Sequence, residues 1–186
     1  MNSHIGFTHD FLTFSRNMKK ARNYLLSFKK MIVYIMRHGE AEANSSSKGE
    51  RHLTERGASQ VTNVLHMANQ MGASITAIAS SPLVRAKQTA EIAKRILKVD
   101  YFITNSLEPE GSPEEIYVEL SKHKSSEGVL LVSHQPLVSK LLSDLLGAEA
   151  RISFLTGTVA MVKVDGQPGT GRGMLVLLIP PQIPIS

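Results

Sequence analysis

The feature that most constrains this chain is the apolar run 31–36, Met-Ile-Val-Tyr-Ile-Met, which ends abruptly at Arg37 and His38. An unbroken run rich in β-branched residues is typical of a strand buried on both faces of a parallel or mixed sheet. Open α/β sheets bind their ligands beyond the carboxyl ends of such strands. Gly39 follows directly and allows a tight turn with close backbone approach. The pattern therefore predicts that Arg37 and His38 face a crevice at the sheet edge.

The rest of the chain alternates between short apolar runs and segments with helical periodicity. This alternation predicts an α/β fold, a three-layer α/β/α sandwich with a mostly parallel mixed sheet. A Gly/Pro-rich turn at 165–173 predicts that the last two strands form an antiparallel hairpin. The further strands are predicted at 75–79, 101–103, 128–133, 158–164 and 174–179, and the helices at 54–71, 82–97, 112–122 and 136–147.

Charge is distributed unevenly along the chain. The sequence has a formal net charge of +5, and residues 1–30 contain six basic side chains against one acid, so residues 31–186 are balanced. A nucleic-acid-binding protein would instead concentrate its excess charge on the folded domain. We expect residues 1–30 to be a basic N-terminal extension, either disordered or upstream of the native start, and residues 31–186 to form a single folded domain.

Two absences exclude whole classes of function. The sequence contains no cysteine, which excludes disulfides, thiolate metal sites and a cysteine nucleophile. No apolar run approaches the roughly 20 residues that a membrane-spanning helix needs. We therefore expect a cytoplasmic protein with no membrane span and no nucleic-acid partner.

Side chains that are cationic, or can become so, recur at the predicted strand ends. Arg37 and His38 follow the first strand, Arg85 lies in the first turn of a helix, and His134 follows another strand. Such a set favours an anion with several oxygens, and phosphate fits best because a guanidinium matches it bidentately. A neutral imidazole beside two arginines is a competent nucleophile. His38 could then attack phosphorus while His134 donates a hydrogen bond, and a loop carboxyl such as Glu108 could protonate the leaving group.

Four sequence blocks occur in order along the chain: Arg-His-Gly-Glu at 37–40, Leu-Thr-Glu-Arg-Gly at 53–57, Ser-Ser-Pro-Leu-Val-Arg-Ala-Lys-Gln-Thr at 80–89 and Val-Ser-His at 132–134. Together they resemble the signature of the histidine phosphatase superfamily, the phosphoglycerate mutase-like proteins, over residues 31 to about 180. The resemblance implies a phosphoglycerate mutase-like fold and a reaction that passes through a phosphohistidine intermediate.

The resemblance also implies roles for individual residues. His38 would be the phosphorylated nucleophile, and Asn44, six residues later, matches a position where many members contact phosphate with asparagine. No metal or cofactor is implied. A zinc site built from His38, His134 and Glu108 has no short histidine spacing to support it, and two arginines would repel the cation. The phosphate contacts implied are Arg37, Asn44, Arg51, Arg85 and His134.

Within the superfamily, the lack of insertions between blocks and the segments 107–111 and 132–138 resemble the SixA-type phosphohistidine phosphatases, which act on phosphohistidine in proteins. Glu108 keeps an alternative open, because mutases and sugar-phosphate phosphatases carry a glutamate acid near this position. A phosphoester needs such an acid, whereas the leaving nitrogen of a phosphoramidate is readily protonated. The first alternative is thus a small-molecule phosphomonoesterase or mutase-like enzyme. An inactive phosphate-dependent binding module is the less favoured alternative.

Overall fold

The computed structural model describes residues 30–43, 51–123, 128–148 and 152–181. Asn44 and the predicted N-terminal extension, apart from Lys30, lie outside these residues. The strands are β1 (Lys30–Arg37), β2 (Ala77–Ser80), β3 (Tyr101–Ile103), β4 (Gly128–Ser133), β5 (Val159–Asp165) and β6 (Gly173–Ile179). The helices are α1 (Glu55–Gln70), α2 (Val84–Leu97), α3 (Pro113–Ser121) and α4 (Leu137–Leu146), with a 3-10 turn at Asn105–Leu107.

The strands form a single mixed sheet in the order β3-β2-β4-β1-β5-β6. β1, β4, β2 and β3 run parallel, whereas β5 is antiparallel to β1 and β6 is antiparallel to β5. Every residue of β4 is buried, as expected for a strand covered on both faces. The parallel strands therefore end together at one edge, where Arg37 and Ser133 are register partners.

Helices cover both faces of the sheet, which confirms the three-layer α/β/α sandwich. On one face α3 and α4 bury an apolar stripe that includes Ile116, Leu141 and Leu145. On the other face α1 and α2 pack a second core. α2 contributes small residues at helical spacing, so it can approach the strands closely. The core residues of α2 are Ala86, Ala90, Ile92 and Ala93, and those of α1 are Val61, Val64, Leu65 and Ala68.

The starts of α1 and α3 are each fixed by a side chain that caps the helix. Thr54 is the N-cap of α1 and accepts a hydrogen bond from Gly57 N, and Ser112 forms a capping box with Glu115 at the start of α3. α2 was expected to begin at Pro82, and this is wrong by two residues. Leu83 has an extended conformation, with ψ at 140°, so the helix begins at Val84.

The loop after β1 touches α1 through two glycines. A Cβ atom on Gly39 would overlap the carbonyl of Gly57, and one on Gly57 would overlap the backbone of Glu40. The Thr54 amide donates to the Glu40 carbonyl at 3.0 Å, and the Glu40 amide donates to Oε1 of Gln60 at 3.0 Å. The loop is thus held against the start of α1 by contacts that leave no space for a side chain.

Candidate active site

The predicted cluster forms at the carboxyl ends of β1 and β4. The His38 amide donates to the Ser133 carbonyl at 3.0 Å, so the two strands remain paired up to the point where both histidines leave the sheet. The ring centroids of His38 and His134 are 5.0 Å apart. Both side chains are buried, with 6% and 1% of their surface exposed. The structure therefore brings together the two histidines that the sequence placed at strand ends.

The hydrogen bonds of His38 fix which ring nitrogen is free to react. Nδ1 lies 2.7 Å from the carbonyl oxygen of Gly39, and because a carbonyl only accepts, Nδ1 carries the hydrogen. Nε of Arg85 donates to Nε2 of His38 at 3.1 Å, and a guanidinium cannot accept. Both partners require the same tautomer, so the lone pair is on Nε2 and points toward Arg85.

Arg85 is positioned by the first turn of α2. Thr89, one turn later, donates its hydroxyl to the Arg85 carbonyl at 2.9 Å and accepts the Gly39 amide at 3.2 Å. A single buried hydroxyl therefore connects the helix to the loop that carries His38. The i, i+4 spacing of Arg85 and Thr89 placed them on one helix face, but nothing in the sequence identified the bond to Gly39.

Arg37 is anchored from the opposite side. Its Nη1 donates to the carbonyl oxygen of Phe154 at 2.6 Å, in the segment that leads into β5. The Gly157 amide is shared between the carbonyls of Arg37 and His38, at 3.1 and 3.0 Å. Nε of Arg37 is buried and has no hydrogen-bond partner within the described residues. This donor remains available to an oxygen of a bound anion.

Arg51 is held by the loop that follows β1. Its Nε donates to the Glu42 carbonyl and its Nη2 to the Ala41 carbonyl, the latter at 3.3 Å. Burial lowers the pKa of Arg37 and of Arg85, and the positive charge of Arg51 lowers both further. The charge of Arg51 therefore acts on the other two arginines, and the phosphate contact implied for Arg51 remains a prediction.

Both histidines are neutral in this environment. Burial lowers the pKa of His38 to about 3; the bond to Gly39 opposes this shift, and the charges of Arg85, Arg37 and Arg51 add to it. Burial, followed by the charges of His38, Arg85 and Arg37, lowers the pKa of His134 to about 2. A neutral imidazole has a nucleophilic lone pair, which imidazolium lacks.

These pKa values predict how stability depends on pH. In the unfolded chain each histidine titrates near 6.5, so below that pH the unfolded state binds more protons than the folded state. The free energy of unfolding should therefore fall as pH decreases from about 6.5 toward about 3. Urea unfolding of the wild type and of His38→Gln should show a steeper fall for the wild type. His66→Gln, which alters an exposed histidine, is the control, and equal slopes for wild type and His38→Gln would contradict the prediction.

Two acidic residues near the site, Glu108 and Glu110, differ in how they interact with it. Glu108 is half-buried at the end of the 3-10 turn, and within the described residues its carboxylate makes no hydrogen bond or ion pair. The negative charge of Glu110 opposes the lowering of the Arg85 pKa that burial and the other arginines cause. Sequence reasoning had singled out Glu108 and had overlooked Glu110, which lies two residues further along the same loop.

A zinc site in this region would require His38, His134 and Glu108 to converge. Among residues 30–43, 51–123, 128–148 and 152–181, no three or more His, Asp or Glu side chains are arranged to hold a metal ion. The structure therefore does not bring His38, His134 and Glu108 together as a ligand set.

Within the described residues, no helix has both the length and the apolar character required to cross a bilayer.

Several known proteins are similar to this chain in sequence and in fold. Residues 33–108 match the histidine phosphatase superfamily (branch 1). The phosphohistidine phosphatase SixA homolog of Haemophilus influenzae is 33% identical over 147 residues, which cover 73% of this chain and 90% of that protein. The phosphohistidine phosphatase SixA of Escherichia coli is 30% identical over 145 residues, covering 76% and 89%.

A solved structure of the protein histidine phosphatase SixA complexed with tungstate superposes with a TM-score of 0.74 at 28% identity, covering 81% of this chain and 97% of that one. A putative SixA from Nakamurella multipartitia gives a TM-score of 0.69 at 21% identity, covering 82% and 96%, which supports the fold. Taken with the arrangement of the histidines and arginines, these similarities show that the chain belongs to the histidine phosphatase superfamily.

Proposed function

We propose that this protein hydrolyses phosphoryl groups through a covalent phosphohistidine on His38, and that its substrate is a phosphohistidine on another protein. The observation that carries the proposal is the paired hydrogen bonding of His38. Gly39 holds Nδ1 in its protonated form, and Nε2 presents its lone pair to the arginine side of the pocket. A nucleophile of this kind needs no prior deprotonation, because burial already keeps the ring neutral.

The first chemical step is an in-line transfer. When the phosphoryl group enters, the Arg85 Nε–H moves from His38 Nε2 to a phosphoryl oxygen. Nε2 then attacks phosphorus, the bond from phosphorus to the leaving nitrogen breaks, and that nitrogen takes a proton from solvent. His38 becomes phosphorylated on Nε2 while Nδ1–H stays bonded to the Gly39 carbonyl, so the carbonyl stabilises the positive charge that develops on the ring.

The second step returns the enzyme to its starting state. Water attacks phosphorus, the P–Nε2 bond breaks, and His38 regains its lone pair as inorganic phosphate leaves. In both steps negative charge lies on the equatorial oxygens. Fixed donors at these oxygens stabilise that charge without reorganisation. We assign this role to Arg37, Arg85, Arg51 and His134, and also, from its position in the sequence, to Asn44.

The substrate class rests on two lines of support. The relatives named above are phosphohistidine phosphatases, and the chain covers about nine-tenths of their length. The Glu108 carboxylate is also not engaged with the pocket, which suits a leaving nitrogen that needs no strong acid. A phosphohistidine-bearing protein is thus the proposed partner, and the cytoplasmic location expected from the sequence remains a prediction.

One observation favours a second candidate, a small-molecule phosphomonoesterase or mutase-like enzyme. The charge of Glu110 reaches Arg85, so a carboxyl group from the 108–110 loop lies within electrostatic range of the pocket. If that loop moved inward over a bound ester, Glu110 or Glu108 could protonate the leaving oxygen. An inactive binding module is less well supported, because Arg37, His38, Arg85 and His134 are all present and gathered together.

The test compares kcat/KM on a phosphohistidine peptide with that on phosphosugars, phosphoglycerates and aryl phosphates, all in excess EDTA. Wild type should prefer the peptide, and Glu108→Gln and Glu110→Gln should each change that activity by less than about threefold, since a general acid is not required. A preference for an ester with a loss of about 100-fold in either variant would support the second candidate. Loss of all activity in EDTA would contradict metal-independent chemistry.

A further inference from the structure

His134 and Ser81 form a buried pair beside the candidate site. Nε2 of His134 lies 2.8 Å from Oγ of Ser81, and the two residues are 1% and 0% exposed. The same Oγ accepts the Leu83 amide at 3.3 Å. Nδ1 of His134 is also buried but has no partner within the described residues.

A neutral imidazole has a single N–H, so the two ring nitrogens of His134 cannot both donate. Burial and the nearby positive charges hold the pKa of His134 at about 2, and the ring therefore carries no second proton at neutral pH. If the hydrogen were on Nε2, the Ser81 hydroxyl would accept twice, and Nδ1 would present a lone pair. A lone pair facing a phosphoryl oxygen is repulsive.

The other tautomer satisfies both the Ser81 hydroxyl and Nε2 of His134, and leaves only Nδ1–H for a ligand. The Ser81 hydroxyl accepts from Leu83 and donates its own hydrogen to Nε2, which uses the hydroxyl as both donor and acceptor. Nδ1 then carries the N–H and has no internal partner to compete with a ligand. The hydrogen bond made by one histidine nitrogen is what decides which nitrogen carries the proton.

We propose that Ser81 is a positioning residue that fixes His134 as the Nδ1–H tautomer, so that this N–H is the one presented to a phosphoryl oxygen. The identity of that ligand rests on the function proposed above. The fixed tautomer complements the arginines, which supply charge, because it supplies a directional donor without adding another charge to an already cationic pocket. Ser81 acts only through His134 and does not itself contact substrate.

The tautomer can be observed directly in the full-length protein. Two-bond ¹H–¹⁵N correlation spectra distinguish protonated from unprotonated ring nitrogens, and His134→Gln identifies the His134 signals by their loss. We expect wild type at neutral pH to show a protonated Nδ1, and added inorganic phosphate to shift that signal. A protonated Nε2 in the wild type would overturn the proposal, with no variant required.

Variants then test whether Ser81 is the cause. Ser81→Ala should show the Nε2–H form or a mixture, weaken inorganic phosphate binding and lower kcat/KM by about tenfold, whereas Ser81→Thr, which keeps the hydroxyl, should restore all three. The matched control is Ser80→Ala. Ser80 is equally buried but donates to the Ser81 carbonyl, so this variant should keep the Nδ1–H form and activity within about twofold.

The outcomes separate this inference from the proposed function. An unchanged tautomer in Ser81→Ala, or a loss in Ser80→Ala as large as that in Ser81→Ala, would overturn the role of Ser81. A wild type that hydrolyses none of the phosphorylated substrates would instead overturn the proposed function, and the spectra would still decide the tautomer.

Discussion

Replacing His38 with alanine is expected to reduce kcat on a phosphohistidine peptide by roughly 10⁴-fold or more, the scale seen when a nucleophile is removed. Among the residues that the structure describes, neither His134 nor the arginines of the pocket are placed to substitute for it. Nε2 of His134 is bonded to Ser81, and the arginines have no lone pair to offer. His66→Ala, which removes an exposed histidine from α1, should retain full activity.

A second measurement checks that His38 forms a covalent phosphoryl intermediate. Wild type quenched in alkali during turnover of a radiolabelled substrate should carry label on His38, and the label should be lost in acid, as expected of a phosphoramidate. His38→Ala should carry none. Near-normal turnover by His38→Ala, or label at another residue of the wild type, would contradict the proposed mechanism.

Replacing Arg85 with lysine is expected to lower kcat/KM by about 10²- to 10³-fold, the cost of losing one well-placed donor to a transition-state oxygen. The positive charge is conserved in this change, so the loss would come from geometry. The planar guanidinium reaches His38 from α2 and holds its N–H groups in a fixed fork, whereas an ammonium is a point charge. Arg85→Ala should lose more, because the charge goes as well.

Arg95→Lys is the matched control for this position. Arg95 lies on the same helix but is exposed and distant from His38, so the variant should behave like wild type. Circular dichroism and urea unfolding would show that both variants fold. If Arg85→Lys retained activity within about threefold, Arg85 would serve only as a counter-charge, and its proposed role as a fixed N–H donor to phosphoryl oxygens would be wrong.

The sheet could be predicted because its signals are local. A run of apolar residues such as 128–133 indicates a buried strand without knowledge of its partners, and a serine three residues before a glutamate indicates a helix start. The start of α2 was misplaced because Pro82 suits a first helical turn equally well. Only the three-dimensional structure shows that Leu83 is extended.

The residues of the site also fall into those that could be predicted and those that could not. Arg37, His38 and His134 directly follow strands, so the predicted topology placed them at one edge of the sheet. Arg85 lies in the first turn of the helix that comes after β2, which begins at the same edge. The groups that orient them could not be predicted. The Phe154 carbonyl lies in a segment without periodicity, and the hydroxyls of Thr89 and Ser81 act through bonds across more than 40 residues of sequence.

The contact between Gly39 and Gly57 limits how this site can change over evolution. Both positions face backbone, and Gly39 also faces the buried side chain of Val61, so no flexible side chain can move away to accept added volume. Both glycines must persist in any descendant that retains the geometry of His38. The 108–110 loop is a place where substrate preference can change without altering this contact, because the charge of Glu110 acts on Arg85 and the loop makes no part of the contact between the two glycines.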